Sequence, residues 1–407
     1  MKKGILFIMI LCAACRQISH SDDITKEGFD FASQQIKYAF TEIDKVKATL
    51  TKEQKEKLLV SPRNVESDGS LHLVASGDWT SGFFPGELWY MYEYTGNDYW
   101  RQKAEEFTAP IEREKANDRT HDMGFKVYCS FGNGYRLTHN PNYKNILLQS
   151  AETLITRYKK NVGCLRSWDH NKDKWQCPVI IDNMMNLELL FWAFKQTNRE
   201  EYYNIAVNHA RTTARNHFRN DYSSYHVIDY DTITGEVLKR NTSQGYAHGS
   251  AWSRGQAWGL YGYTMCYRET NLPEFLEQAK HIARFIFTHP SLPNDLIPYW
   301  DYDAPNIPNE PRDVSAAAVT ASALYELSMY DKDNADQYKK WADKIMENLN
   351  TAYRSTLNEN CGFLLLSSTG SAPHKSEVDV PIVYADYYFL EALLRKRKLE
   401  KEGNIFI

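Results

Sequence analysis

Hydrophobic and polar positions recur along the chain as one unit: an apolar, aromatic run, a short polar break, then a second run opening on an aromatic residue. Residues 88–92 (LWYMY) precede Thr95-Gly96-Asn97-Asp98 and Tyr99-Trp100, and residues 131–137 precede a break at 138–142 and Tyr143. Residues 189–194 lead through 197–200 to Tyr202-Tyr203, residues 260–267 through 270–273 to Phe275, and residues 324–327 through 331–336 to Tyr338. The second runs place apolar residues at helical spacing with Lys and Glu between, as in Tyr338, Trp341, Ala342, Ile345 and Met346, which predicts helices with one buried face. The first runs are apolar nearly all round, which predicts helices buried on both sides. Two further helices, over 26–50 and 380–399, bracket the five copies. The copies are too irregularly spaced for a thin solenoid, and no run of alternating strands competes. The pattern predicts an all-α fold: a closed double ring of six hairpins, with long Gly-, Pro-, Trp- and Asp-rich loops gathered at one mouth. One loop, 290–311, holds six of the fourteen prolines, and loops of that length in a compact domain usually carry function.

Composition narrows the classes. The 407 residues are 43% hydrophobic and 25% charged, the balance of a soluble chain that buries a sizeable core, which excludes disorder, collagen and a membrane bundle. Forty-eight Lys and Arg against 52 Asp and Glu give a net charge of −4, so there is no basic footprint for nucleic acid. Ten Trp and 27 Tyr exceed what most cores need, and such rings line sugar sites as well as cores. At the start, Lys2 and Lys3 precede an apolar run at 5–11 that is too short to span a membrane. Residues 1–15 read as a signal peptide of lipoprotein type. Leu11-Cys12-Ala13-Ala14-Cys15 resembles a bacterial lipoprotein cleavage box, although Cys12 stands where Leu is usual. The expectation is an exported, periplasmic protein touching membrane through a lipid on Cys15, with a linker at 16–25, a single domain at 26–399 and a tail at 400–407. The later cysteines, 129, 164, 177, 266 and 361, are odd in number and lack metal-site spacing, so buried thiols are expected rather than a disulfide framework.

Five loop stretches carry candidate chemistry. In residues 77–86 (GDWTSGFFPG) Trp79 either offers a ring to a sugar face or is buried in a tight helix entry. In His121-Asp122-Met123-Gly124-Phe125 the acid is a functional carboxylate or a helix N-cap. The third stretch pairs Arg166-Ser167-Trp168 with residues 178–186 (PVIIDNMMN). Asp182 there lies among apolar residues, where desolvation raises a carboxyl pKa and keeps it protonated near neutrality, as a general acid requires. A second carboxylate such as Asp122 pushes the same way, and Met185 at the N3 position gives no capping box. His226 is a site residue or a satisfied structural histidine. The densest stretch holds Gln244, His248 and residues 250–262 (SAWSRGQAWGLYG). Arg254, between Trp252 and Trp258, is placed to pair with a carboxylate as a bidentate fork unless it is an ordinary helix-surface Arg. No G-x-S-x-G elbow, H-E-x-x-H pair, P-loop or dinucleotide fingerprint is present, so no metal or nucleotide cofactor has a visible seat.

Taken in order, His121-Asp122-x-Gly124-Phe125, residues 182–186 (DNMMN) and residues 252–259 (WSRGQAWG) resemble the unsaturated glucuronyl hydrolases, glycoside hydrolase family 88, over nearly the whole of 26–399. Gln256-Ala257 points to this branch rather than to the related rhamnogalacturonyl hydrolases of family 105. The resemblance implies an (α/α)6 barrel and a substrate whose non-reducing end is a 4,5-unsaturated uronic acid, derived from heparin, chondroitin or hyaluronan. It implies hydration rather than displacement: Asp182 protonates C4 of the vinyl ether and steers water to C5. By the same resemblance Asp122 orients sugar hydroxyls or modulates Asp182. His121, His226, Gln244 and Arg254 match sugar- and carboxylate-binding positions, and Trp79, Trp168 and Trp258 match stacking walls. Residues 368–376 resemble a sulfate-contacting loop, which makes Lys375 and Ser376 either sulfate contacts or parts of a solvated loop. Ser243 stands where some relatives carry His, a departure that bears on the neighbouring sugar or sulfate.

Overall fold

The computed structural model describes residues 18–56 and 59–406; the leader read over 1–15, with Cys12 and Cys15, lies outside them. Every predicted hairpin is present. They are α3 (Phe83–Thr95) with α4 (Asp98–Thr108), α5 (Asn133–Thr138) with α6 (Pro141–Ile155), and α7 (Leu187–Thr197) with α8 (Glu200–His217). Then come α9 (Ser253–Thr270) with α10 (Pro273–Thr288), and α11 (Val314–Leu327) with α12 (Ala335–Thr351). The sixth pairs the chain's two ends, α1 (Ile18–Thr49) against α13 (Val383–Glu402), and a short α2 (Lys52–Glu56) follows α1. The inner helices close a ring in the order α3, α5 with the π-helical stretch Gly124–Gly132 before it, α7, α9, α11, α13, and back to α3. The fold is an (α/α)6 barrel. All fourteen residues of α11 are buried, as the all-round apolar pattern requires, whereas α12 buries one stripe that includes Tyr338, Ala342, Ile345 and Met346.

Four of the hairpin breaks share one chemistry. Gly96, His139, Asn198 and Asn271 end their helices in the left-handed region, the conformation Gly and Asn tolerate best. The preceding Thr95, Thr138, Thr197 and Thr270 each donate to the carbonyl four residues back. Each of these hydroxyls also accepts the backbone N–H two residues on, so the second helix starts from a fixed angle.

Three features differ from the pattern. Helix α1 begins at Ile18, inside the segment read as a linker, and α13 runs to Glu402, into the segment read as a tail. Short antiparallel strands are also present: β1 (Leu59–Val65) with β2 (Leu71–Ala75), and β3 (Tyr158–Lys159) with β4 (Cys164–Leu165). A three-stranded sheet joins β5 (Pro178–Ile180), β6 (Val227–Tyr230) and β7 (Val237–Asn241). These strands are two to seven residues long, too short for period-two alternation to register. Cys129, Cys164, Cys177 and Cys266 are buried free thiols and Cys361 is half-buried.

Candidate active site

A ladder of short segments builds the mouth. Thr120 bridges Trp168, the His121 N–H donates to the Ser167 carbonyl (3.2 Å), and the Ser167 N–H donates to the Pro178 carbonyl (2.8 Å). Strands β5 and β6 pair Ile180 with Val227, and the Ile181 N–H donates to the His226 carbonyl (3.1 Å). The residues at the ends of the two strands therefore emerge side by side, and His226 Nε2 lies 3.6 Å from Asp182 Oδ2. Asp122 is brought in by a close backbone approach. A Cβ at Gly124 would sit 2.7 Å from the Asn186 Cα, while Asn186 Oδ1 accepts the Gly124 N–H at 2.8 Å. Only glycine lets the π-helical stretch lie against the 3-10 turn Ile181–Asn186 that carries Asp182.

Burial sets the protonation states. Desolvation pushes the Asp182 carboxyl up to about 7, with the Arg254 charge and the Trp258 indole N–H offsetting part of the effect and the Asp122 charge adding to it. Asp182 Oδ2 has no hydrogen-bond partner. His226 Nδ1 accepts the backbone N–H groups of Ser243 and Gln244, both at 3.1 Å. That network assigns the ring proton to Nε2, which also has no partner and is the atom next to Asp182. Burial first, and then the Arg254 charge, push the imidazole down to about 3, so it is a neutral donor. His121 Nε2 lies 3.2 Å from Asp122 Oδ1, and burial lowers its pKa too. Thr120 Oγ1 donates to Asp122 Oδ2 at 2.5 Å. The Asp122 side chain caps no helix; the π-helical stretch starts after Met123 without a side-chain cap. His121 Nδ1, Trp168 Nε1 and Arg254 Nε are likewise buried without partners. Buried polar atoms are nearly always paired, so such a cluster marks groups that await a polar ligand or water.

Two sequence expectations are corrected. Arg254 does not present a free fork. Nη1 donates to Asp313 (2.7 Å) and the Thr369 carbonyl (2.6 Å), and Nη2 to the Gly370 carbonyl (2.6 Å) and Gln244 (3.3 Å). A guanidinium only 1% exposed needs a compensating charge, which leaves Nε for anything else. Trp258 is no stacking wall. It is fully buried between Phe125 and Tyr388, with ring centroids at 5.2 and 5.5 Å, and only its indole N–H bears on Asp182. Trp79, half-buried against Tyr384 (4.9 Å), lines a cavity of about 180 Å³ together with Gln244, Arg254, Ser371 and Ser376. Trp168 is half-buried at the edge and stacks on His170 (5.3 Å, 14°). Lys375 is exposed and lines a neighbouring cavity of about 660 Å³, which shares Ser376 and Arg63 with the first.

Sequence reasoning missed Tyr384, Arg63 and Asp313. Asp313 carried one local signal, an N-cap pattern: its Oδ1 accepts the Ser315 N–H at 3.1 Å. Arg63 is held by Asp78 and Glu377 (2.7 and 2.6 Å), the second 314 residues away. Gln256 is buried and pins the 222–224 segment, accepting the Ser224 N–H and donating to the Tyr222 carbonyl. Among the described residues no group of three or more His, Cys, Asp and Glu side chains is placed to hold a metal ion.

A buried carboxyl of raised pKa, a neutral imidazole donor beside it and an aromatic rim on a helical double ring fit a glycoside hydrolase of the (α/α)6-barrel class. Residues 43–388 match the profile of Glycosyl Hydrolase Family 88. The chain is 54% identical over 331 residues to the unsaturated glucuronyl hydrolase of Formosa agariphila, covering 81% of this chain and 82% of that protein. It is 34% identical over 341 residues to the unsaturated glucuronyl hydrolase of Bacillus sp. strain GL1, covering 81% and 89%. Among solved structures, an unsaturated glucuronyl hydrolase specific for heparin superposes with a TM-score of 0.86 at 46% identity, over 94% of this chain and 98% of that one. The protein belongs to glycoside hydrolase family 88.

Proposed function

We propose that the protein removes the 4,5-unsaturated glucuronyl residue from the non-reducing end of glycosaminoglycan oligosaccharides left by polysaccharide lyases. The observation that carries this reading is the buried Asp182 carboxyl, its Oδ2 without a hydrogen-bond partner and its pKa pushed up to about 7. The heparin-specific structural relative supports the substrate class. So does a Streptococcus agalactiae unsaturated glucuronyl hydrolase mutant solved with dGlcA-GalNAc6S, which superposes with a TM-score of 0.76 at 27% identity over 97% of this chain and 98% of that one.

In this reading Asp182 gives its proton to C4 of the C4=C5 vinyl ether, and the ring oxygen shares the charge that develops at C5. Water adds to C5 and returns a proton to the Asp182 carboxylate. The hemiketal opens to a C5 ketone, and the hemiacetal left at C1 breaks down to release the next sugar as its alcohol. One carboxyl group of raised pKa serves as acid and then base, so the carboxylate-separation rule of ordinary glycosidases does not apply. His226 Nε2–H holds the carboxylate or the water, and Asp122 with His121 orients sugar hydroxyls.

The test is loss of the C4=C5 ultraviolet absorbance when purified protein meets lyase-generated disaccharides of heparin, chondroitin and hyaluronan. Consumption by wild type but not by Asp182→Asn, with saccharide binding retained, is the expected result. Consumption of pectin-derived products alone moves the protein to rhamnogalacturonyl substrates, and silence on every substrate leaves a sugar-binding protein. We also propose export to the periplasm with a lipid on Cys15; the mass of the mature N-terminus from native membranes tests it, an unmodified Cys15 counting against it.

A further inference from the structure

Loop 242–250 supplies the two N–H groups that fix the His226 tautomer, and it carries Gln244, which meets Arg254. The loop is no regular element, so something must hold it. The Arg219 guanidinium holds its far end, donating to the His248 and Ser250 carbonyls (3.3 and 3.2 Å), and Asp301 holds the rest from a segment paired antiparallel to the start of α9. Trp252 bridges Asp301, the Ser253 N–H donates to the Trp300 carbonyl, and the Tyr302 N–H donates to the Ala251 carbonyl. From that base Asp301 Oδ2 accepts the Tyr246 N–H (2.9 Å) and the Ser250 hydroxyl (2.7 Å), while Oδ1 accepts the Asp303 N–H (2.9 Å). A Cβ at Gly245 would stand 3.1 Å from Asp301 Oδ2 and 2.7 Å from Thr242 Oγ1, so the loop backbone is drawn tightly onto the carboxylate. Asp301 itself is fully buried.

We propose that Asp301 is a positioning residue: its ionised carboxylate locks loop 242–250 and thereby holds His226 with its proton on Nε2, toward Asp182. An acceptor serving three donors works as a carboxylate and not as an acid. Burial, with the Asp303 charge adding and the donors opposing, pushes Asp301 up to about 6. Asp303 faces it on its own loop and Tyr302 lies beside it; the titratable residues of the covering loop are Tyr246 and His248. Asp301 therefore gives activity an acid limb near pH 6, separate from the alkaline limb set by Asp182.

The inference rests on the Asp182–His226 reading above, and its test has a readout that needs no substrate. Nitrogen-15 NMR of labelled histidine in the whole protein reports the His226 tautomer, assigned by loss of its signal in His226→Gln. Wild type at pH 7.5 should show the single Nε2–H form; Asp301→Asn should show a mixture, with kcat down by up to about 100-fold and the acid limb flattened while the alkaline limb stays. Ser250→Ala, which removes one donor to Asp301 and the acceptor of the Ala247 N–H but keeps the carboxylate, should move the same signals less. A lowered melting temperature with the His226 signal, kcat and acid limb all unchanged overturns the proposal. An altered tautomer in protein that shows no turnover even as wild type supports the positioning role and counts against the activity assigned to the site.

Discussion

Around the C-terminal ends of α9 and α11 Arg268 pairs with Glu188, Glu269 and Glu326, and Arg395 pairs with Glu326 and Glu391. Lys195 completes Glu269, and Glu391 accepts the hydroxyls of Tyr90, Tyr261 and Ser322. At the N-terminal end Asp182 Oδ2, His226 Nε2, His121 Nδ1 and Arg254 Nε are buried with no partner. Both ends bury ionisable groups among the same helices, so burial does not distinguish a site from a structural plug. What separates them is how the charges are met: the first network is matched by ion pairs and fastens the ring, whereas the second gathers several unpartnered atoms around one carboxyl, as a ligand site requires.

The comparison is tested most severely by exchanging one carboxylate at each end for its amide. Asp182→Asn should cut turnover about 1,000-fold and yet stabilise the protein at alkaline pH. A carboxyl moved from 3.8 to about 7 resists ionisation in the fold. The penalty is absent below the unfolded pKa, grows through the interval and is complete above pH 7 at ~4 kcal/mol or less. Denaturant unfolding should therefore show the variant ahead of wild type at pH 8 and level with it at pH 4. Glu326→Gln should do the reverse, costing about 3–5 kcal/mol of stability while the folded fraction keeps its kcat. Asp313→Ala combines the two outcomes, because the ion it abandons, Arg254, belongs to the site: a loss of similar size, read in the melting curve, with residual folded protein of weakened substrate affinity.

Smaller effects follow toward the rim. Gln244→Ala should raise KM up to about tenfold, the worth of one hydrogen bond, with little change in melting temperature. Lys375→Ala should leave stability within about 0.5 kcal/mol and affect only sulfated substrates, by a factor that shrinks as salt is added. A loss of activity on unsulfated disaccharides would place Lys375 nearer the reacting end than its exposed position suggests.

The double ring was legible because its signal is local: helical spacing, all-round apolar runs and short polar breaks each lie within twenty residues. The strands were not, being too short for their alternation to stand out, yet β5 and β6 are what set Asp182 beside His226. Asp182 was legible as a raised-pKa carboxyl because its own neighbours are apolar. Arg254 and Trp258 were misread because what decides their roles is remote. Asp313 is 59 residues from Arg254, and the rings that enclose Trp258 belong to the π-helical stretch and α13. Asp301 sits in the proline-rich loop that length alone marked as functional, but nothing local ties it to His226.

Titration of Asp182 itself tests the account most directly. Carbon-13 NMR of protein labelled at the aspartate carboxyl, with Asp182→Asn to assign the signal, should show one resonance half-protonated near pH 7. A resonance that titrates near the ordinary value of 3.8 would leave Asp182 ionised at neutrality, with no proton to give to C4.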